Sequence, residues 1–252
     1  MGEALQVTVD DVETVDAHCL STPSLPTPNE LSGSVKVEAI TPGADCLWLH
    51  GALSLAEQAR LFEFVKSHDR TDWENLPVCM NPAPTTLQLE QPGGGRDTAP
   101  TLVYDRQCGD DAVASVATEA VDGVRGMLRG RSLTLAGGPL TEPTSISLAA
   151  IRYQSPGGRF PPHIDHCNDG SWVFLFTLGC SARFHVKAPA MDSPRELQLQ
   201  SGDALVFDPS SGAGILHGVA GIGEEVTCPS ALGERFAELR SFRYGLQCRV
   251  RY

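Results

Sequence analysis

The sequence predicts an α+β fold that is mainly β, with two helices ahead of a β-rich second half. Three observations carry this reading. Gly 25 and Pro 18 in 252 residues exceed the usual share, about 12% of a chain, and call for many turns. Helical spacing of apolar residues is confined to the first half of the chain. From Ser145 onward the apolar period is two, in short runs between turn signals, which suggests a sandwich, jelly roll or barrel.

Residues 1–34 read as a disordered tail, acidic at first and then rich in Ser, Thr and Pro through "STPSLPTPNELSGS". The folded part begins near Val35. In "SLAEQARLFEFVKSH", Ser54 stands three residues before Glu57, a capping-box signature, and Leu55, Phe62 and Val65 follow at helical spacing. Residues 69–110 hold two Pro/Gly clusters around the strand-like pieces "TTLQLE" and "TLVYD", the pattern of hairpins with long loops. A second helix follows, on Val113, Val116, Ala120, Val124 and Leu128, with Gly123 and Gly126 weakening it. The strands of the second half are "SISLAAIRY", "SWVFLFTLG", "ARFHVKA", "RELQLQSG", "DALVFD", "GILHGVAG" and "SFRYGLQCRVRY".

Composition narrows the function. A hydrophobic fraction of 41% with 20% charged residues describes an ordinary globular chain with one sizeable core. Net charge −12 argues against non-specific nucleic-acid binding, where phosphates demand a basic surface. The eight cysteines form no CxxC pair, and Met1–Asp16 has no apolar core of a signal peptide. No run approaches a membrane span. The expectation is a reduced intracellular protein of cytoplasm or nucleus, monomeric, with free thiols and no membrane association.

Chemistry concentrates in "PPHIDHCNDGSWVFLFTLG". In an extended segment the side chains of His163 and Asp165 point the same way. His217, on the strand "GILHGV", can complete two histidines and a carboxylate, the facial triad of non-haem Fe(II) oxygenases. His50, His68, His166 and His185 compete as ligands, and a lone His-x-Asp pair is more often a surface turn. At the C-terminus, alternation puts Arg243, Gly245, Gln247, Arg249 and Arg251 on one face of "RYGLQCRVRY". Arginine forks bind carboxylates in two-point fashion. An exposed strand edged with arginine is the plain alternative. Trp172 and Phe174 read as core. Arg125, Arg129 and Arg131 read as a solvated helix end, where arginine suits the helix dipole.

The ordered set "IRYQSPGGRFPPHID", "SGDALVFD", "ILHGV" and "RYGLQCR" resembles the AlkB-like family of Fe(II)/2-oxoglutarate dioxygenases. The likeness covers residues 145–252 well and 35–144 loosely. It implies a double-stranded β-helix (a jelly roll) with N-terminal helices packed outside, forming one domain over 35–252. Residues 35–144 would then be an extension carrying substrate loops, and 145–252 the jelly-roll core. It implies iron on His163, Asp165 and His217. It implies 2-oxoglutarate held by Tyr153 and Arg243, with Arg249 near the metal-binding carboxylate. The partners implied are O2 and 2-oxoglutarate, with a methylated nucleic acid as substrate. Oxidation of an N-methyl carbon would release formaldehyde, and 2-oxoglutarate would become succinate and CO2.

The sequence departs from the family's pattern at three places. Ile151 and Gly245 stand where the family often has asparagine, and Cys167 where nucleic-acid repair members have an acidic residue. Candidate substrate residues are Trp73, Tyr104, Arg106 and Cys167. A protein or small-molecule hydroxylase or demethylase is the alternative within the same chemistry. A jelly-roll binding module without turnover is the alternative outside it.

Overall fold

The computed structural model describes residues 35–43, 45–67, 101–104, 111–129, 141–156, 158–223 and 227–252. The 1–34 tail and the "TTLQLE" strand expected from the sequence lie outside the described residues. Eleven strands are found among the described residues: β1 Val37–Ala39, β2 Cys46–Leu49, β3 Thr101–Tyr104, β4 Ser145–Gln154, β5 Phe160–His163, β6 Trp172–Gly179, β7 Ala182–Lys187, β8 Arg195–Leu199, β9 Ala204–Phe207, β10 Leu216–Ile222 and β11 Phe242–Arg251. The helices are α1 Leu55–Ser67, α2 Asp111–Arg129 and the short α3 Ser230–Arg235.

The strands form two antiparallel sheets. The larger runs β1-β2-β9-β6-β11-β4-β3 and the smaller β5-β10-β7-β8. From β4 to β11 the chain visits the two sheets in turn, staying in the smaller sheet for the β7–β8 hairpin. β6 lies between β9 and β11. Its eight residues WVFLFTLG are nearly all buried, which is why the sequence shows a continuous apolar run there rather than alternation. Val173 and Leu175 face a cavity between the sheets, while Trp172 and Phe174 are buried and absent from its wall, as expected of core residues.

α1 opens on the capping box read from the sequence. Ser54 Oγ accepts from the Glu57 N–H at 3.2 Å, and Glu57 Oε2 accepts from the Ser54 N–H at 2.7 Å. The Phe62 ring of α1 meets Tyr244 of β11 edge-on at 5.1 Å and Phe236 at 5.0 Å. Tyr244 alternates with Gly245, a cavity-wall residue, so α1 covers the face of β11 turned away from the cavity. In α2, Arg125 is buried and paired with Asp122 at 2.6 Å and Glu142 at 3.0 Å, and Arg129 shares Glu142 at 3.0 Å. These guanidiniums are engaged on carboxylates, and Arg125 is buried among them rather than solvated, against the expectation of a solvated helix end. Arg131 lies outside the described residues.

Candidate metal centre

His217 and His163 face each other across β10 and β5. Their meeting depends on glycine. A Cβ on Gly218 would lie 2.7 Å from the Phe160 carbonyl oxygen and 2.8 Å from the Pro162 nitrogen. Only a residue without a side chain lets the Phe160–His163 backbone come this close. The two imidazole rings then sit 4.4 Å apart, with Phe160 4.7 Å from His163 and Phe207 4.6 Å from His217.

Asp165 is reached differently from the sequence expectation. His163 ends β5, so Asp165 lies past the strand rather than on one extended run. The chain turns immediately afterwards, with His166 in the left-handed region at φ 54°. Asp165 is 3% exposed. Its Oδ1 is 3.3 Å from His163 Nε2 and 3.9 Å from His217 Nε2. One ligand atom from each of the three residues lies within 4.8 Å of the others. Its Oδ2 accepts from Arg249 at 2.9 Å and from Gln247 Nε2 at 3.2 Å. Burial acts to raise the Asp165 pKa, but a hydrogen bond from His163 and the charges of His217 and His163, which these rings supply only when protonated, together with Arg249, outweigh it. The carboxyl is held well below its ordinary range.

The tautomers follow from the outer contacts. His163 Nδ1 meets the Pro161 carbonyl at 2.9 Å and His217 Nδ1 meets the Ile215 carbonyl at 3.2 Å. A carbonyl only accepts, so each Nδ1 carries the proton, and in the neutral rings each Nε2 presents its lone pair. Two imidazole lone pairs and a carboxylate oxygen aimed at one region repel unless a positive charge sits among them. This donor set, two nitrogens and one oxygen, suits a divalent transition metal and leaves other coordination positions to small ligands.

The triad opens on a cavity of about 300 Å³. β4 contributes Ser147, Ala149, Ile151 and Tyr153, and β11 contributes Gly245, Gln247 and Arg249. Ile151 and Gly245 leave these positions without an amide. Arg243 lies one step further along the same strand face, in register with Tyr153 of β4, but is not itself in the cavity wall. It is 1% exposed. Its only hydrogen bond among the described residues is a long one, 3.4 Å to the Cys180 carbonyl, and its Nε has no partner. Burial pushes the guanidinium pKa down to about 10. Among the described residues no carboxylate pairs with it directly, although the charge of Asp203 acts on it, and a buried cation without a direct counter-ion is costly. Arg249, by contrast, is engaged on Asp165.

The remaining candidates are placed as follows. Cys167 is not in the cavity wall; its Sγ donates to Asp169 Oδ1 at 3.3 Å. Tyr104 closes β3, opposite Ile146. Trp73 and Arg106 lie outside the described residues, as does His68. His50 stacks on Trp48, His166 contacts Ser211, and His185 contacts Glu196, so none of these joins the triad. The described cysteines 46, 167, 180, 228 and 248 are free thiols. No helix among the described residues is long and apolar enough to cross a membrane. The sequence reading missed the contact of Gln247 with Asp165; its signal was the alternation that set Gln247 on the face of Arg243 and Arg249.

No family model matches the chain, and no curated protein matches it significantly. Among solved structures, OsALKBH1, an AlkB homologue, is 20% identical with a TM-score of 0.51, covering 86% of this chain and 100% of that one. A prolyl hydroxylase from Trichoplax adhaerens, in complex with a hypoxia inducible factor oxygen degradation domain peptide fragment, is 14% identical at TM-score 0.47, covering 82% of this chain and 83% of its own. A Pseudomonas putida prolyl-4-hydroxylase is 13% identical at TM-score 0.45, covering 82% of this chain and 92% of its own. The chain shares its fold with an AlkB homologue.

Proposed function

We propose that this chain is an Fe(II)/2-oxoglutarate-dependent dioxygenase built on a double-stranded β-helix, and that it removes N-methyl groups from nucleic-acid bases. One observation carries the reaction class: one ligand atom each from His163, Asp165 and His217 lies within 4.8 Å of the others, in the wall of the cavity between the sheets. The strand order, in which the chain passes between two facing sheets from β4 to β11, supports the β-helix. The residues present fit the cofactor. His163, Asp165 and His217 would hold Fe(II), and Arg243 with Tyr153 would hold the distal carboxylate of 2-oxoglutarate. When bound, iron with 2-oxoglutarate and O2 supplies the oxidation of a C–H bond, with succinate and CO2 as co-products.

The protein's own contribution is placement and shielding. The Pro161 and Ile215 carbonyls keep each Nε2 turned to the metal position. Phe160, Phe184 and Phe207, with Val173 and Leu175, wall the cavity with apolar surface that excludes water. A second reading, a protein or small-molecule substrate, is favoured by one observation. The position where repair members carry an acidic residue is Cys167, engaged on Asp169 outside the cavity wall. Net charge −12 also weighs on this side.

The test is succinate formation from 2-oxoglutarate with Fe(II), ascorbate and O2. Wild type is expected to turn over slowly even without substrate, and His163→Ala, Asp165→Ala and Arg243→Ala to abolish it. Wild-type rates in all three variants would refute the assignment. A panel of N-methylated oligonucleotides, peptides and small amines, read by mass loss, separates the two substrate readings.

A further inference from the structure

We propose that Gln247 is a positioning residue of the metal centre: its side-chain amide fixes the Asp165 carboxylate so that Oδ1 alone is presented to the cation. This rests on the reading of the triad as a metal site. Both donors on Asp165 that come from β11 converge on the same atom. Arg249 reaches Oδ2 at 2.9 Å and Gln247 reaches it at 3.2 Å. The other oxygen, Oδ1, is the one that lies 3.3 and 3.9 Å from the imidazole nitrogens.

Two donors do what one does not. The last torsion of an aspartate is broad and soft, so a single hydrogen bond to Oδ2 leaves the carboxylate plane able to swing. A second donor, arriving from a residue two positions away on the same strand face, pins that plane. Carboxylates that are not pinned can take a metal through one oxygen or both. The direction of the amide is dictated by chemistry, since an ionised carboxylate only accepts and the NH2 end must therefore face it.

The surroundings of Gln247 argue that this contact is its purpose. It is half-buried in the cavity wall, between Leu175 and Ala149 in register. Among the described residues Asp165 is the only hydrogen-bond partner of its side chain. Placing an amide against apolar neighbours is unfavourable in itself. A fold that needed only packing here would be served by leucine.

Hydrogen-bond partners of metal ligands typically change metal affinity by about 10- to 100-fold. The experiment therefore reads Mn(II) binding by calorimetry, and Mn(II) coordination in crystals of the loaded protein, for wild type, Gln247→Leu and Gln247→Asn. Leucine keeps the bulk and loses the donor; asparagine keeps the amide but is one methylene too short to reach. Both variants are expected to bind Mn(II) about 10-fold more weakly with an unchanged melting temperature. Asp165 is expected to engage through one oxygen in wild type and two in the variants. Wild-type affinity and one-oxygen coordination in both variants would overturn the proposal. Affinity retained in asparagine alone would also overturn it, because polarity rather than reach would then be what matters. If wild type itself takes up no Mn(II), the metal-site reading fails instead, and the two failures are thereby told apart.

Discussion

Arg243 is where residue chemistry and ligand meet most sharply. A buried guanidinium without a direct counter-ion among the described residues weighs against the fold, and a dicarboxylate bound there would offset that cost. Arg243→Met is therefore expected to unfold no more easily than wild type without ligand, yet to lose the stabilisation that 2-oxoglutarate gives. At a hundred times the dissociation constant that stabilisation is about 2.7 kcal/mol, read as a melting shift. Asp169 offers a pH test away from the triad. Ser171 Oγ holds its carboxyl below the ordinary range, burial opposes, and Arg251 and the Ser171 N–H add to the depression. A depressed carboxyl stabilises the fold above its unfolded pKa, about 3.9, and loses that contribution as pH falls toward the folded value. The stability gap between wild type and Asp169→Asn, followed by denaturant unfolding, should thus narrow steadily below about pH 4. The triad was legible in the sequence because the histidine–aspartate pair and the distant histidine sit beside apolar runs. The role of Cys167 was not, since its sulfur is drawn into the turn around Asp169.

At the scale of elements, most strands were readable, the four-residue β3 and β9 included, because each stands as an apolar run between turn signals. β4 and β11, of ten residues each, show one face to the cavity and the other to the core. β1 and β2, of three and four residues, were passed over by the sequence reading. β5 is more instructive. Its sequence FPPH carries two prolines, which normally argues against a strand. β5 lies at the edge of the smaller sheet, where a missing N–H costs no ladder bond on the open side. Among the described residues it pairs only with β10, and there Gly218 makes the approach possible. Gly218→Ala is expected to destabilise the fold by about 1–3 kcal/mol, the usual cost of forcing atoms into packed space. It is also expected to weaken divalent-metal binding, because the His163–His217 register would spread. Calorimetric melting and Mn(II) titration of the same variant check both halves; unchanged metal affinity would separate the register from the site.

For the whole molecule, the sheets and the helices divide the labour. The larger sheet carries Tyr153, Gln247 and Arg249 of the cavity wall, and the smaller carries His163 and His217, so the cavity exists only where the two sheets meet. α1 packs on the far face of β11 through Phe62 and Tyr244. Ligands that bridge the sheets should therefore act as global stabilisers. The sequence reading reached this architecture through the order of its motifs, and could not reach the substrate, whose candidate residues Trp73 and Arg106 lie outside the described residues. The most direct measurement is an anaerobic titration of the purified chain with Fe(II), followed by 2-oxoglutarate, monitored by calorimetry. The account expects one Fe(II) per chain, 2-oxoglutarate binding that tightens once the metal is present, and loss of both when His163, Asp165 and His217 are replaced together by alanine. An absence of Fe(II) uptake by wild type, or undiminished uptake by the triple variant, would contradict it.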